Sequence, residues 1–238
     1  MKKHIDELVA TRTQKQAELL ANGREIASSA KPIVVAFVDL ADSTQIKQDR
    51  QAEEWLGYVF EFIQNVDQRA RDADGTVVKR IGDELMITFK DVQASERFVD
   101  SLITDPTLQM FRYKIAVDFG SAYHFRFIEH LPDDPYGPVV DRCARIAKYA
   151  GAGTVICAGE YRNQLGNRGH YVSMGSFALR GFRKPEELFA RSLVHVDSEE
   201  YLKPLVSVVN EESQRVQGYR FLSRRLTTQF VREFSEGG

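Results

Sequence analysis

The sequence lacks the features of a disulfide-stabilised, membrane-spanning or secreted protein. Its 238 residues include only two cysteines, Cys143 and Cys157, which make no disulfide framework and lack the spacing of a metal site. No unbroken apolar run reaches the ~18 residues of a membrane span, and the N-terminus has no apolar stretch typical of a secretion signal. We therefore expect a cytoplasmic protein with two buried thiols.

Neither sign of charge predominates. The 32 basic and 34 acidic side chains nearly cancel, so no overall field favours a nucleic acid or a membrane as partner. Hydrophobic residues make up 43% of the chain and charged residues 28%, which is ordinary for a soluble globular protein. The length suffices for one well-buried domain with extensions.

The first half of the chain predicts a helix, a buried strand, a second helix and a hairpin. Residues 2 to about 30 are polar with a thin apolar stripe, which favours a helix that Pro32 ends. Residues 33–40 (IVVAFVDL) form a short apolar run typical of a buried central strand. Asp42 or Ser43 can cap the next helix, whose apolar residues recur over 52–66. Residues 76–89 are two strands joined at Gly82 and Asp83.

The second half of the chain continues the alternation of predicted helices and strands. Asp91 begins a helix, and residues 111–127 are predicted to form a hairpin that turns near Gly120. Residues 137–150 favour a helix, 154–157 a strand, 171–196 further strands, and the tail from 198 is again helical. The order β-α-β-β-α-β is that of an α+β, ferredoxin-like core. We divide the chain into an N-terminal helical extension (1–30), a central domain (31–196) and a helical tail (197–238).

Two aspartates are placed where they can converge. Asp39 ends the first predicted strand, and Asp83 lies in the turn of the hairpin. Together with a backbone carbonyl such as that of Leu40, their carboxylates form a hard oxygen site suited to Mg²⁺ or Mn²⁺. Aspartates at strand ends and in turns also commonly cap or turn the chain, so the spacing alone leaves both interpretations open.

Five segments in order resemble the motifs of class III nucleotide cyclases. VAFVDLADST is similar to the strand that supplies the first metal ligand, and VVKRIGDELMITF to the Lys-x-x-Gly-Asp-x-x-Met hairpin. YKIAVDFGSA lies where the family has Gly-Ile-His-x-Gly. YGPVVDRCARIAKYAGAGTVICAGE resembles the Gly-x-x-Val-Asn-x-x-x-Arg helix, and LRGFRKPEELF the closing Lys-Gly-x-x-x-Pro segment. The resemblance spans residues 33–194 and implies that the central domain is a cyclase catalytic domain.

The resemblance implies a role for each matching residue. Asp39, Leu40 and Asp83 would bind two Mg²⁺ or Mn²⁺ ions that activate the ribose 3′-hydroxyl of a nucleoside triphosphate and hold its phosphates. Arg145, one helical turn after Asp141, would reach the α-phosphate. Attack on the α-phosphorus then yields a 3′,5′-cyclic monophosphate and pyrophosphate.

The resemblance also implies a homodimer. Lys79 and Asp134 fall on the family's base-reading positions. In this family one subunit supplies the metal carboxylates and its partner supplies the base readers and Arg145, so a chain with both halves builds two equivalent interfacial sites.

Three positions depart from the family pattern. Asp141 replaces the catalytic-site asparagine that helps position the nucleotide, and an ionised carboxylate only accepts hydrogen bonds. Ser121 stands where some members have a phosphate-binding arginine, and Asp118 replaces a histidine. Arg183 is a candidate for the missing phosphate contact, with Arg180 and Lys184 as alternatives.

The identity of the base stays open on the sequence alone. Lys79 as donor and Asp134 as acceptor suit adenine, cytosine or, with partners exchanged, uracil. Tyr136 or Arg80, each beside a reading position, is predicted to fill the space of a purine's second ring. The chain, with its short helical extensions, resembles stand-alone bacterial pyrimidine cyclases of antiphage defence (the Pycsar type). UTP or CTP is therefore the expected substrate. An adenylate cyclase, or a degenerate nucleotide-binding sensor, is the alternative.

Overall fold

An eight-stranded mixed sheet organises the chain. The computed structural model describes residues 2–104, 111–125, 133–166 and 170–193, with side chains from residue 11 onward. The elements are α1 (Lys2–Ser28), β1 (Ala30–Leu40), α2 (Ser43–Asp49), α3 (Ala52–Asp72), β2 (Thr76–Ile81), β3 (Glu84–Phe89), α4 (Val92–Thr104), β4 (Tyr113–Phe125), β5 (Asp134–Tyr136), α5 (Pro138–Ile146), β6 (Thr154–Ala158), α6 (Gly159–Gln164), β7 (Val172–Phe177) and β8 (Glu186–Ser192). The predicted helical tail lies outside the described residues.

The strand order confirms the α+β, ferredoxin-like prediction. The sheet runs β2-β3-β1-β4-β6-β8-β7, and the short β5 pairs with β4. Each pair is antiparallel except β4 with β6. The predicted β-α-β-β-α-β unit is present as β1, α3, β2, β3, α4 and β4, and α5 and β6 continue it.

Strand β1 separates two hydrophobic clusters. Val34, Ala36 and Val38 face one cluster, with side chains from α3 and α4. The alternate residues Ile33, Val35 and Phe37 face the other, with α5. A strand covered on both sides has no polar face, which is why 33–40 is almost continuously apolar. Both cysteines are buried and free, as predicted.

The N-terminal boundary of β1 differs from the prediction. Helix α1 ends at Ser28 and β1 begins at Ala30, so Pro32 lies inside the strand and does not separate the two elements. β1 pairs with β4 from Ala30, but with β3 only from Val34. Pro32 therefore lies where β1 has a neighbour on one side only, a position at which a missing N–H is tolerated.

The helical signal after β1 is divided between α2 and α3. Asp42 is the residue before α2, as expected, but its backbone is left-handed (φ 59°) and its side chain makes no capping hydrogen bond. The Asp42 carboxylate instead accepts a hydrogen bond from Arg112 Nη1 at 2.6 Å. Asp91 does cap α4, because its Oδ1 accepts from the backbone N–H of Ala94 at 2.7 Å.

The predicted hairpin at 111–127 is wrong. β4 continues through Gly120 as a single strand from Tyr113 to Phe125. Its last three residues pair with β5 in the antiparallel direction. A Cβ atom at Gly120 would lie 3.1 Å from Val139 Cβ of α5. The glycine therefore lies where a helix approaches the strand closely, and it does not mark a turn.

Replacement of Gly120 tests this packing. We expect Gly120→Ala to lower the free energy of unfolding by about 1–3 kcal/mol, because the added methyl group pushes α5 away from β4. The matched control is Gly57→Ala on α3, where a Cβ meets nothing within 4 Å. There alanine should stabilise by about 0.5–1 kcal/mol through helix propensity. Urea unfolding of both variants measures the difference, and equal effects would contradict the close-approach explanation.

Candidate functional site

Asp39 and Asp83 lie at the same end of the sheet, both next to Glu84 in the register. The last registered pair of β1 and β3 is Val38 with Leu85, so one further residue places Asp39 opposite Glu84 and the next places Leu40 opposite Asp83. Asp83 lies in the β2–β3 turn, where Gly82 has φ +68°. Burial raises the pKa of Glu84, and the charges of Asp39 and Asp83 raise it further. Both aspartates therefore lie near Glu84 at this end of the sheet, where their charges act on its carboxyl group.

Asp83 has one carboxylate oxygen with a partner and one without. Its Oδ1 lies 3.0 Å from Lys47 Nζ, whereas the buried Oδ2 has no hydrogen-bond partner among the described residues. Burial acts to raise the pKa of Asp83, but the hydrogen bonds from Ser43 and Lys47 outweigh it and lower the pKa below its usual range. The carboxylate is thus ionised and presents an unpartnered oxygen, which fits a divalent cation.

The remaining donors also fit a cation. Asp39 is half-buried, and the side chain of Leu40 is buried, so only the backbone carbonyl of Leu40 can serve as a ligand. Within the described ranges there is no cluster of three or more histidine, cysteine, aspartate or glutamate side chains that could hold a metal ion. Two carboxylates and a carbonyl leave coordination positions open, as Mg²⁺ requires for phosphate oxygens and water.

Two lysines at this edge were not identified from the sequence. Lys114 of β4 forms an ion pair with Asp39, the residue opposite it in the register. Lys47 of α2 pairs with Asp83, 36 residues away in sequence. The sequence signal for Lys47 is its position one helical turn after Ser43, which puts both side chains on one side of α2.

The two predicted base readers contact each other. Lys79 Nζ lies 2.7 Å and 3.0 Å from the two carboxylate oxygens of Asp134. Lys79 is opposite Met86, which is opposite Phe37, so Lys79 stands on the same face of the sheet as Asp39. Both side chains of the pair are about 40% exposed, at 39% and 43%, and thus accessible to a ligand.

Tyr136 lies beside this pair. On β5 the middle residue Pro135 is buried, while Tyr136 is 62% exposed and shares the strand face of Asp134. The other candidates for ligand contact, Arg183 with Arg180 and Lys184, are all exposed in the connection between β7 and β8. Their placement does not single out one of them.

Helix α5 carries Asp141 and Arg145 on one side, four residues apart. Asp141 is exposed in the first turn, and Arg145 is partly buried in the last. The Nε of Arg145 is buried without a hydrogen-bond partner in the described part of the chain. Neither side chain has a hydrogen bond or ion pair to Asp39 or Asp83 in the residues described, so one chain does not bring the two predicted halves of the site into contact.

Asp118 is a structural residue and does not face the sheet edge. It is fully buried, and its carboxylate accepts hydrogen bonds from Arg142 Nε at 2.6 Å and Nη2 at 3.1 Å. Burial raises the pKa of Asp118 to about 6, although the pairing with Arg142 opposes the rise. The pair fastens α5 to β4. Ser121, further along β4, is exposed.

The raised pKa of Asp118 predicts a pH-dependent stability. A carboxyl whose pKa is about 6 in the folded chain and near 4 when unfolded favours the folded state when protonated. Relative to Asp118→Asn, the wild type should therefore lose about 1–3 kcal/mol of unfolding free energy as pH rises from 4 to 6. Urea unfolding of both proteins at pH 4.5 and pH 7 measures the change, and a constant difference would contradict it.

Comparisons with known proteins found a similar family model and similar solved structures. Residues 26–126 match the model of the adenylate and guanylate cyclase catalytic domain. No curated protein sequence matches significantly. No helix in the described ranges is long and apolar enough to cross a bilayer.

Solved cyclase structures have the same fold. The adenylyl cyclase CyaB from P. aeruginosa has a TM-score of 0.61 at 17% identity, over 68% of this chain and 94% of that one. An adenylate cyclase from Trypanosoma brucei has a TM-score of 0.60 at 17% identity, over 70% and 90%. The guanylate cyclase domain of RhGC from Catenaria anguillulae, in complex with GTP, has 0.58 at 12%, over 68% and 96%. The chain thus has the fold of the class III cyclase catalytic domain, and the sequence of its first half matches the adenylate and guanylate cyclase family.

Proposed function

We propose that the protein is a nucleotide cyclase that converts a nucleoside triphosphate into a 3′,5′-cyclic monophosphate and pyrophosphate. The observation that carries the proposal is the carboxylate of Asp83, which lies near Asp39 and Glu84 and whose buried Oδ2 has no partner among the described residues. An ionised oxygen without a partner is costly unless a cation binds it. The similarity of residues 26–126 to the cyclase family supports the same reaction.

Asp39, Asp83 and the carbonyl of Leu40 are the residues that would hold Mg²⁺ or Mn²⁺. Bound there, the ions would lower the pKa of the ribose 3′-hydroxyl and offset the negative charge of the triphosphate. The chain itself contributes orientation, because Asp39 is held on a strand buried on both faces and Asp83 in a tight turn.

Lys79 and Asp134 would orient the base. Their mutual ion pair shows a donor and an acceptor within reach of one point, and a base edge with an acceptor beside a donor can replace it. The exchange conserves the number of hydrogen bonds, so each reader is satisfied with and without the nucleotide. A base that offers the wrong pair would leave a charged group unpaired.

Arg145 would bind the α-phosphate of a nucleotide held by a second copy. Its unpartnered Nε leaves a guanidinium donor for a phosphate oxygen, and no described contact brings it to Asp39 or Asp83 of its own chain. A two-fold homodimer supplies both halves at each of two sites. Asp141, exposed one turn before Arg145, can accept a hydrogen bond from the substrate but cannot donate one as asparagine does.

We propose UTP or CTP as the substrate and an antiphage second messenger as the product. The exposed ring of Tyr136 lies beside Asp134 on β5, where it would take up space that the second ring of a purine needs. The antiphage role rests on resemblance alone. ATP is the alternative substrate, which the donor and acceptor of Lys79 and Asp134 also suit.

A nucleotide sensor without turnover is the second candidate. It is favoured by the ion pairs that neutralise both aspartates, Asp39 with Lys114 and Asp83 with Lys47, in the metal-free chain. A sensor is stabilised against heat by nucleotide but forms no cyclic product.

Removal of either metal carboxylate tests the cyclase proposal. The protein is incubated with equal ATP, GTP, CTP and UTP plus Mn²⁺, and products are identified by mass spectrometry. Asp39→Asn and Asp83→Asn should each lower product formation by about 100-fold or more, because the charge that holds the cation is lost. The control is Asp72→Asn at the end of α3, where the exposed Asp72 accepts a hydrogen bond from Gln68, and it should leave the rate unchanged. Full activity of either test variant would refute the two-metal assignment, and wild type that binds nucleotide without product would favour the sensor.

Replacement of Tyr136 tests the pyrimidine preference. Tyr136→Ala should shift the ratio of kcat/KM values toward purine triphosphates by about tenfold, because the pocket deepens. Phe60→Ala is the matched control, since it removes a similarly exposed ring from α3. An unchanged ratio in Tyr136→Ala would count against this role.

A further inference from the structure

Lys47 places a positive charge inside the carboxylate cluster at the sheet edge. Its Nζ lies 3.0 Å from Asp83 Oδ1, and Ser43, one turn earlier on α2, also donates to the same carboxylate. The side chain of Asp83 is 12% exposed, whereas that of Lys47 is 36% exposed. The ammonium thus covers the open side of a largely buried carboxylate.

The charges of the cluster nearly balance without a metal ion. Asp39, Asp83 and Glu84 contribute three negative charges, and Lys47 and Lys114 contribute two positive ones. A divalent cation that binds Asp83 while the ammonium stays on Oδ1 places like charges only a few ångströms apart, which is strongly unfavourable at the low effective dielectric of a partly buried site. The cation and Lys47 therefore compete for the same carboxylate.

Of the two lysines, Lys47 is the one that can move. Lys114 is fixed opposite Asp39 in a central strand and is only 16% exposed. Lys47 stands on a helix of seven residues, and its flexible four-carbon stem allows the ammonium to leave Asp83 while staying near it. The ring of Trp55, with its centroid 6.0 Å from Nζ, provides a second favourable contact for the ammonium when it leaves Asp83.

We propose that Lys47 is an internal counter-ion that holds Asp83 in the metal-free chain, leaves it when a divalent cation binds, and then binds a terminal phosphate oxygen of the substrate. This inference rests on the proposed function. When the ammonium of Lys47 leaves the carboxylate of Asp83, the phosphates of a metal-bound triphosphate at the sheet edge offer it another anionic partner. Lys47 therefore makes metal binding weak without the triphosphate and strong with it.

The first measurement is Mn²⁺ affinity without nucleotide, by calorimetric titration of the full chain. Lys47→Met should bind Mn²⁺ about 5- to 10-fold more tightly than the wild type, because the competing charge is gone. Lys47→Arg should remain close to the wild type. The matched control is Lys31→Met, which removes the same charge from the exposed, opposite end of β1 and should leave the affinity unchanged.

The second measurement is the KM for the triphosphate at saturating Mn²⁺. Lys47→Met should raise KM about 5- to 10-fold with a smaller change in kcat, and Lys47→Arg should largely restore it. Equal Mn²⁺ affinity in Lys47→Met and Lys31→Met would overturn the counter-ion role, while an unchanged KM would overturn the phosphate contact.

The two proposals fail in different ways. Failure of both the wild type and Lys47→Met to bind Mn²⁺ would show that the metal site itself, and with it the cyclase proposal, is wrong. Binding of Mn²⁺ by the wild type that Asp83→Asn abolishes, with no effect of Lys47→Met, would leave the cyclase proposal intact and refute the role of Lys47 alone. Circular dichroism of each variant confirms that it is folded.

Discussion

The burial of β1 on both faces is the constraint on which the site depends. Its side chains alternate between two hydrophobic clusters, so a register shift of one residue would exchange the contents of both cores. The register with β3 and β4 is therefore strongly specified, and Asp39 is the first residue of the strand's apolar run that is not fully covered. Because β1 cannot slide, the positions of Asp39, Glu84 and Lys114 relative to one another are determined by packing far from any ligand.

Three of the aspartates expected to contact a ligand are each paired with a lysine. Asp39 pairs with Lys114, Asp83 with Lys47 and Asp134 with Lys79. A ligand that enters such a site replaces existing ion pairs, so its net binding free energy is the difference between two sets of interactions. The pairs also offset the repulsion between these aspartates and neighbouring carboxylates.

The sequence predicted the elements whose signals are local. The buried β1, the hairpin with Asp83 in its turn and the cap at Asp91 follow from short apolar runs and turn residues. Gly120 was misinterpreted as a turn because the same residue type serves turns and close packing, and only Val139 of another element decides between them.

The ion pairs could be predicted only in part, because they join residues distant in sequence. Lys79 and Asp134 were identified by resemblance, and their contact spans 55 residues. Lys47 and Lys114 match no expected motif position, so their partners become visible only when the register and the position of α2 are known.

The departure from the family at Asp118 is compensated within the fold. A buried carboxylate requires a partner, and Arg142 supplies one from α5, between Asp141 and Arg145. The same helix approaches β4 closely at Gly120, where a Cβ would lie 3.1 Å from that of Val139. Two contacts with β4 thus position the helix that presents Arg145. Since β4 also carries Lys114 opposite Asp39, the β1–β4 pair connects the metal carboxylate Asp39 with the helix that presents Arg145. A change in the β1–β4 register would therefore displace the metal carboxylate Asp39 and the phosphate-binding Arg145 relative to one another.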